Sequence, residues 1–237
     1  MTDDRGAATP PDRVVGRVLA VLAEASTTPG LVEVGDGSRW VLKFSGAGPG
    51  PYGLLVEFLA LRIAAAMGAP VPAAEPLWLP PGFPWQAGTD EFDAMLQRSW
   101  GWNLGIAFVP DARPIAAAEL AGFDPGALDA IARSDALLQN MDRTARNPNL
   151  IVAGGRLHAV DYDACLYLSR ALGPPRAPSR ALPAGHLLAG RAVPPAPMPA
   201  FDLAGMLAAA PDAWLAAAGR DRSEVAAALG SYIADYQ

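Results

Sequence analysis

The spacing of apolar residues changes from strand-like to helix-like within the first part of the chain. Between Val14 and Phe44, short apolar runs are separated by turn-forming residues such as Gly35-Asp-Gly37, a pattern typical of strands. From Leu54, apolar residues recur at helical spacing until Gly68, which predicts a helix over 54–67. The predicted strands cover about 18–24, 31–35 and 39–44, and the first of them could also be helical.

The rest of the chain alternates proline-rich stretches with stretches of helical spacing. Residues 70–92 contain six prolines, so we expect an irregular connector there, followed by a strand at 93–98. A second proline-rich segment covers 172–199. Three more helices are predicted at about 126–139, 202–218 and 223–236, with Ser223 as the N-cap of the last. This order of elements predicts an α+β fold.

Composition narrows the class of protein. With 237 residues and 51% hydrophobic content, the chain can bury a sizeable core. A net charge of -6 argues against binding along a nucleic-acid backbone, which needs a cationic surface. The single cysteine, Cys165, excludes an internal disulfide, and no signal peptide or membrane span is predicted. We therefore expect a globular cytoplasmic protein whose partners are small molecules or proteins.

Lysine occurs once among the 18 Lys and Arg residues, at Lys43 in the third predicted strand. A lysine ammonium is a slim point charge on a flexible stem, whereas an arginine is a planar fork. Nucleotide phosphates inside a cleft are one setting in which the slim charge fits. A compositional bias towards arginine, with one surface lysine left over, is the alternative on this feature alone.

Three of the chain's four asparagines lie within residues 140–149, where Asp142 precedes Asn147 by five positions. Asp161 follows fourteen positions later. Phosphoryl transfer needs a carboxylate that receives or orients a hydroxyl, together with oxygen ligands for Mg²⁺, and these side chains could supply both. Alternatively, they are loop residues that hydrogen-bond their own backbone. The same spacing recurs at Asp135, which lies on a predicted helix without a return strand and which we interpret as structural.

A predicted hairpin brings Asn147 and Asp161 together. Residues 150–160 form two apolar runs joined by Gly154-Gly155, which indicates antiparallel strands with a two-residue turn. Counting outward from the turn places Pro148 opposite Asp161. We therefore expect Asn147 and Asp161 to meet at the open end of the hairpin, where one ion could bridge them.

Glu57 lies on the same face of the predicted 54–67 helix as Leu54 and Leu61. A carboxylate on a buried face needs a cation, and in kinase-like sites that cation is the strand lysine. The alternative is a first-turn glutamate that complements the helix dipole.

These residues resemble a known family. The segments Asn140-x-Asp-Arg-Thr-x-x-Asn-Pro-Asn-Leu150 and Ala159-Val-Asp-Tyr-Asp-Ala164 are similar to the HipA-like kinase family, which shares the two-lobed architecture of protein kinases and phosphoinositide kinases. The resemblance covers roughly residues 20–168. It implies a small strand-rich lobe at 13–98 and a mostly helical lobe at 99–237, with ATP between the lobes. Residues 1–12 are rich in Asp, Ala and Pro, and this composition predicts a flexible N-terminus.

The resemblance also implies a role for each site residue. Lys43, positioned by Glu57, would contact nucleotide phosphates, and Asp142 would be the catalytic aspartate. Asn147 and Asp161 would bind Mg²⁺. ATP and Mg²⁺ are the implied cofactors, and the implied acceptor is a hydroxyl, expected to be a Ser or Thr of a protein.

Two parts of the chain depart from the protein-kinase pattern. No glycine-rich loop joins the first strands, and the corresponding turn contains Ser26, Thr27 and Thr28, whose hydroxyls and amides could form an anion-binding nest. The residues at 161–163 read Asp-Tyr-Asp rather than Asp-Phe-Gly. The hinge is expected between Gln97 and Trp102, where Trp100 or Trp102 could pack on adenine, although tryptophans are more often buried in the core.

Two other functions remain open on the sequence. The chain could be a catalytically inactive kinase-like module that holds a nucleotide or contacts a partner protein, or it could phosphorylate a small molecule or lipid headgroup. Four arginines of the second proline-rich part could attract an acidic acceptor or form a solvated face, namely Arg170, Arg176, Arg180 and Arg191.

Overall fold

The structure is a computed structural model that describes residues 13–22, 28–84, 89–165 and 181–236. It confirms a mixed architecture of helices and antiparallel strands. The chain forms two compact units, one made of 1–54 and 74–108 and the other of 55–73 and 109–237. The predicted N-terminal segment 1–12 lies outside the described residues.

A five-stranded antiparallel sheet dominates the first unit, with strand order β1-β2-β3-β5-β4. Its strands are β1 (Val15–Val21), β2 (Gly30–Val34), β3 (Arg39–Lys43), β4 (Ala74–Leu79) and β5 (Gly101–Ala107). The three strands predicted at the N-terminal side are present. The expectation of an irregular connector over 70–92 is wrong, because β4 lies within it. Pro76 lies on β4, the last strand in the sheet order, and prolines within sheets are largely confined to such edge strands because some of the N–H groups there have no ladder partner.

The strand predicted at 93–98 is wrong as well, because these residues belong to α2 (Asp90–Arg98). Thr89 caps the helix by accepting a hydrogen bond from the Phe92 N–H (3.2 Å). Phe92, Met95 and Leu96 are buried. They occupy positions i, i+3 and i+4, which share one face of a helix, whereas one face of a strand carries every second residue. The Phe92 ring meets Phe44 edge-on at 5.9 Å in the core of this unit.

The fourth asparagine, Asn103, braces the chain next to Lys43. It is fully buried on β5, and its Oδ1 accepts a hydrogen bond from the Ser45 N–H (2.8 Å). Its Nδ2 donates to the carbonyls of Ser99 (2.8 Å) and Gly101 (2.9 Å). One amide therefore satisfies three backbone groups where β3 ends and β5 begins.

The second unit contains most of the described helices. Its helices are α3 (Pro125–Leu138), α4 (Leu203–Ala208), α5 (Asp212–Ala217), α6 (Arg222–Tyr236) and the greater part of α1 (Gly50–Ala66), with a 3-10 helix at Ala117–Gly122. The single helix expected over 202–218 is thus two short helices. Ser223 is not the N-cap of α6, because Asp221 Oδ1 accepts from both the Glu224 N–H (2.9 Å) and the Ser223 hydroxyl (2.7 Å).

A small antiparallel sheet, β6 (Arg113–Pro114), β7 (Leu150–Ala153) and β8 (Arg156–Ala159), contains the predicted hairpin. Ala153 lies opposite Arg156 and Leu150 opposite Ala159, which confirms the predicted register. Gly154 and Gly155 have φ of 55° and 75°, and a two-residue turn with positive φ at both positions favours glycine.

Buried aromatic contacts hold the helices of this unit together. Phe58 of α1 packs edge-on against Trp214 of α5 with ring centroids 5.7 Å apart, and both side chains are fully buried. The Tyr232 hydroxyl of α6 donates to the Leu137 carbonyl of α3 (3.0 Å). Within the described residues, no helix is long and apolar enough to cross a membrane.

Candidate active site

Two segments of the second unit are joined to each other at both ends. They are the loop of residues 140–149, called the 140–149 loop below, and the segment 160–165 that follows β8. The backbone bonds that join them run from Met141 N–H to Ala164 O (3.2 Å) and from Val160 N–H to Asn149 O (3.0 Å). An antiparallel bridge also pairs Asn140 with Cys165. Asp142, Asn147 and Asp161 all lie in the stretches between these tethers.

The Asp142 carboxylate is held by two amides of its own loop. Its Oδ2 accepts hydrogen bonds from Asn147 Nδ2 (2.7 Å) and Asn149 Nδ2 (3.0 Å). No hydrogen bond reaches its Oδ1 from any residue that the structure describes. One carboxylate oxygen is therefore fixed in place, while the other retains its capacity to accept a proton from a hydroxyl.

Asn147 uses its amide nitrogen for this bond, which leaves its Oδ1 as the atom that could coordinate a metal. The structure gives no contact between Asn147 and Asp161, so their sharing of one ion stays a prediction. Asn149 was not predicted as a site residue. Its proximity to Asp142 depends on its φ of 48°, a left-handed conformation that asparagine tolerates better than most residues.

Asp161 also has a left-handed backbone, with φ of 59°. For a residue with a Cβ this conformation costs about 1–2 kcal/mol, and such strain persists where the surroundings enforce it, often at functional sites. The neighbours of Asp161 are fixed on both sides: the Val160 N–H bonds to Asn149 O, and the Tyr162 N–H donates to Glu57 Oε1 at 3.4 Å. The strained residue is the one between these two bonds.

Glu57 is 1% exposed, as its place on an apolar face predicts. It is not a first-turn residue, because α1 begins at Gly50, four residues before the predicted start. The helix-dipole alternative for Glu57 is therefore wrong. Its carboxylate instead reaches the backbone next to Asp161.

A fully buried ion pair joins the 140–149 loop to α3. Arg143 Nε is 2.6 Å from Asp135 Oδ2, and both side chains are 0% exposed. Burial alone would raise the pKa of Asp135, but the Arg143 charge and a hydrogen bond from His186 outweigh it and hold that pKa below its ordinary value. Burial likewise opposes the charge on Arg143, but the Asp135 carboxylate raises the pKa of the guanidinium. Both groups are therefore charged at neutral pH.

Arg143 also satisfies backbone and aromatic groups around the loop. Its Nη1 donates to the carbonyls of Pro148 (3.2 Å) and Asn149 (2.5 Å), and its guanidinium lies 4.9 Å from the centre of the Tyr162 ring. Neither Arg143 nor His186 is among the site residues predicted from the sequence. Asp135 was interpreted as structural, and the structure places it at the centre of this buried cluster.

The remaining predicted residues belong to the first unit or lie outside the described residues. Lys43 is half-buried on β3, opposite Leu104 of β5. Ser26 and Thr27 are not described, and Thr28 has a φ of 47°. Gln97 is exposed on α2. The structure therefore brings Asp142, Asn147 and Asp161 into one pair of segments, and the phosphate and adenine contacts of the first unit stay predictions.

The tryptophans and arginines singled out from the sequence have different fates. Trp100 is 44% exposed, whereas Trp102 packs edge-on against Trp78 at 5.2 Å across β4 and β5. Arg191 forms an ion pair with Asp129 and is therefore not a free cation for an acceptor. The other three, Arg170, Arg176 and Arg180, lie outside the described residues.

The oxygen atoms of Asn147 and Asp161 are ligands that suit a hard cation such as Mg²⁺. In the part of the chain that the structure describes, no three His, Cys, Asp or Glu side chains are grouped as a metal site. One carboxylate from Asp161 and one amide oxygen from Asn147 would leave most positions of Mg²⁺ to water and phosphate. This is the usual arrangement where Mg²⁺ is bound together with a nucleotide.

Comparisons with known proteins add no relative. No protein-family model, no curated protein and no solved structure matches this chain.

Proposed function

We propose that the chain is an ATP- and Mg²⁺-dependent phosphotransferase that moves the γ-phosphate to a hydroxyl, as in the HipA-like kinases that its sequence resembles. The observation that supports this best is the state of Asp142. Its Oδ2 is saturated by two asparagine amides and its Oδ1 is left to accept a bond, in the loop tied to the segment of Asp161. A carboxylate that orients a nucleophilic hydroxyl needs one oxygen able to accept its hydrogen bond, and Asp142 Oδ1 meets this need.

In the proposed reaction, the acceptor hydroxyl donates its hydrogen bond to Asp142 Oδ1. The hydroxyl oxygen forms a bond to the γ-phosphorus, the bond from that phosphorus to the β–γ bridging oxygen breaks, and ADP leaves with the electron pair. The acceptor proton passes to Asp142. Mg²⁺, when bound with the nucleotide, would neutralise the charge on the phosphate oxygens. Catalysis would then rest chiefly on positioning and charge stabilisation.

The other residues would bind the metal, support the metal ligands or contact the nucleotide. Asn147 Oδ1 and the Asp161 carboxylate are the proposed Mg²⁺ ligands, and Asp161 is placed by its strained backbone and its two fixed neighbours. Glu57 accepts the Tyr162 N–H and so supports the Asp161 segment. The assignment of Lys43 to the nucleotide phosphates rests on the sequence resemblance, and so does a protein Ser or Thr as acceptor.

The test is Asp142→Asn, which is nearly isosteric. The new amide oxygen can take the bonds from Asn147 and Asn149, but an NH₂ group then replaces the accepting Oδ1. We expect ADP formation, with water as the surrogate acceptor, to fall by about 100-fold or more. The melting-temperature shift produced by ATP with Mg²⁺ should persist, because Asp142 is not a proposed ligand.

Asp111→Asn is the matched control, because Asp111 is an exposed loop carboxylate of the same unit outside both segments. It should retain wild-type rates. Full ADP formation by Asp142→Asn would show the catalytic assignment to be wrong. A wild-type protein that neither forms ADP nor shifts its melting temperature with ATP and Mg²⁺ together would favour the inactive module that contacts a partner protein.

A further inference from the structure

His186 is a buried histidine whose tautomer is fixed by its contacts. It is 5% exposed, and its Nδ1 accepts a hydrogen bond from the Leu188 N–H (3.1 Å). A ring nitrogen that accepts carries no proton, so the proton of the neutral imidazole is on Nε2. Nε2 lies 3.0 Å from Asp135 Oδ2 and donates to it. The ring therefore has one assigned partner on each side.

The chain around His186 lies directly against the 140–149 loop. Thr144 pairs with His186 in an antiparallel bridge, and the Leu187 N–H donates to the Arg143 carbonyl at 2.8 Å. Arg143 and Thr144 follow Asp142 directly in the loop, so these contacts lie one and two residues from it. The part of the chain that includes His186 is thus attached to the loop through both its backbone and its imidazole.

Asp135, the partner of His186, reaches Asp142 by two routes. In the first, Asn140 Nδ2 donates to Asp135 Oδ1 (3.3 Å), and Asn140 Oδ1 accepts from the Asp142 N–H (3.2 Å). In the second, Arg143 joins Asp135 to the Asn149 carbonyl, and the Asn149 side chain donates to Asp142 Oδ2. The first route fixes the backbone of Asp142 and the second fixes its carboxylate.

We propose that His186 is a positioning residue for Asp142. Its Nε2–H holds the Asp135 carboxylate, and this carboxylate fixes the backbone of Asp142 through Asn140 and its side chain through Arg143 and Asn149. The role in phosphotransfer rests on the proposed function, whereas the effect on the loop does not. Asp135 Oδ2 is shared by His186 and Arg143, so loss of the imidazole bond leaves a buried carboxylate with fewer donors and frees it to turn. His186 itself touches neither the acceptor nor the nucleotide in this scheme.

Two substitutions of His186 separate its two ring nitrogens. In His186→Gln the side-chain amide can occupy the place of Nε2 and donate to Asp135, but nothing replaces Nδ1. In His186→Asn the shorter amide can accept from the Leu188 N–H in place of Nδ1, but it does not reach Asp135. Each variant therefore loses one hydrogen bond and part of the ring, and only the Asn variant loses the bond to Asp135.

The first measurement is hydrogen–deuterium exchange of the peptide that spans 140–149, read by mass spectrometry. The Thr144 and Asn147 N–H groups are hydrogen-bonded within this loop, so their exchange reports how well it is held. We expect exchange to be about tenfold faster in His186→Asn and within about threefold of wild type in His186→Gln. This measurement requires neither ATP nor an acceptor.

The second measurement is kcat and KM for ATP in the ADP-formation assay. We expect His186→Asn to lower kcat by about 10- to 100-fold with little change in KM, and His186→Gln to retain at least about a third of the wild-type kcat. Equal loss in both variants, in exchange or in kcat, would overturn the proposal. A His186→Asn protein that does not fold while His186→Gln does would also overturn it, by showing that the bond serves stability as a whole.

The two proposals fail in different ways. If the wild-type protein forms no ADP, the proposed function is wrong, but the exchange experiment still decides whether His186 holds the loop. If the wild-type protein forms ADP and both variants exchange and turn over alike, only the role of His186 is wrong.

Discussion

Replacement of Arg143 by methionine should be among the most destabilising single changes in the second unit. Methionine fills much of the same volume, so the main loss is electrostatic. It leaves the Asp135 carboxylate, which is 0% exposed, with His186 and Asn140 but without a cation. Removing one partner of a buried ion pair typically costs about 3–5 kcal/mol, because the remaining charge stays in the interior. The carbonyls of Pro148 and Asn149 lose a donor as well, and we expect the total to lie at the upper end of that range.

The stability lost in Arg143→Met should depend on pH in a definite direction. In the wild-type protein the folded-state pKa of Asp135 is lowered, so its stabilisation is present above the unfolded-state pKa and is lost as pH falls through the folded-state pKa. Without Arg143, only the hydrogen bonds from His186 and Asn140 oppose the effect of burial, and we expect burial to outweigh them and to raise the folded-state pKa of Asp135 above the unfolded value. The folded variant then binds more protons than its unfolded state, and its stability falls as pH rises. The deficit of Arg143→Met should therefore be larger at pH 7 than at about pH 4.5.

Urea denaturation followed by circular dichroism measures both quantities. Arg146→Met is the matched control, because Arg146 is exposed in the same loop, and it should change the free energy of unfolding by less than about 0.5 kcal/mol. Adding Asp135→Asn to Arg143→Met should recover part of the loss, since the orphaned charge is removed. If Arg143→Met cost no more than Arg146→Met, or if its deficit grew towards low pH, the electrostatic reasoning would be refuted.

Two further predictions concern backbone positions. A Cβ at Gly46 would lie 2.5 Å from the Met95 carbonyl oxygen, so Gly46→Ala should lower the free energy of unfolding by about 1–3 kcal/mol in urea. Gly122→Ala, with no described atom within 4 Å of the new Cβ, should have a much smaller effect, and equal effects would contradict the steric argument. Asp161→Gly should be about 1 kcal/mol more stable than Asp161→Ala, because only glycine adopts φ of 59° without strain. Both Asp161 variants should lose the melting-temperature shift with ATP and Mg²⁺, and a shift retained by either would remove Asp161 from the metal site.

Much of the hairpin geometry was predictable because it depends on local rules. Gly154-Gly155 sets the turn, the turn sets the register, and the register carries the pairing outward to the bond between Val160 and Asn149. The burial of Glu57 followed from helical spacing in the same way. Local rules are less decisive for α2, because its short apolar run fits a strand as well as a helix. The Thr89 cap is the feature that favours the helix.

The buried cluster could not be predicted, because its members are far apart in sequence. His186 is 51 residues from Asp135, and no spacing rule joins a helix residue to a proline-rich stretch that distant. Arg143 lies within the 140–149 loop, but an arginine is usually exposed, and only the fold shows that this one is completely buried. The asparagines were a partial signal. Their concentration at 140–149 indicated a special loop, although not which amides would bind Asp142.

The choice of arginine at position 143 and of asparagine at position 149 follows from the irregular backbone of the 140–149 loop. A loop without helix or sheet bonds leaves carbonyls that need donors, and when they are partly buried the protein itself must supply them. Arg143 does so for Pro148 and Asn149 while its Nε is bound to Asp135, a division of donors that the single ammonium of a lysine does not reproduce. The left-handed backbone of Asn149 then directs its side chain back to Asp142. The position of the proposed catalytic carboxylate is thus determined by a buried charge and a strained asparagine, because no regular element passes through Asp142.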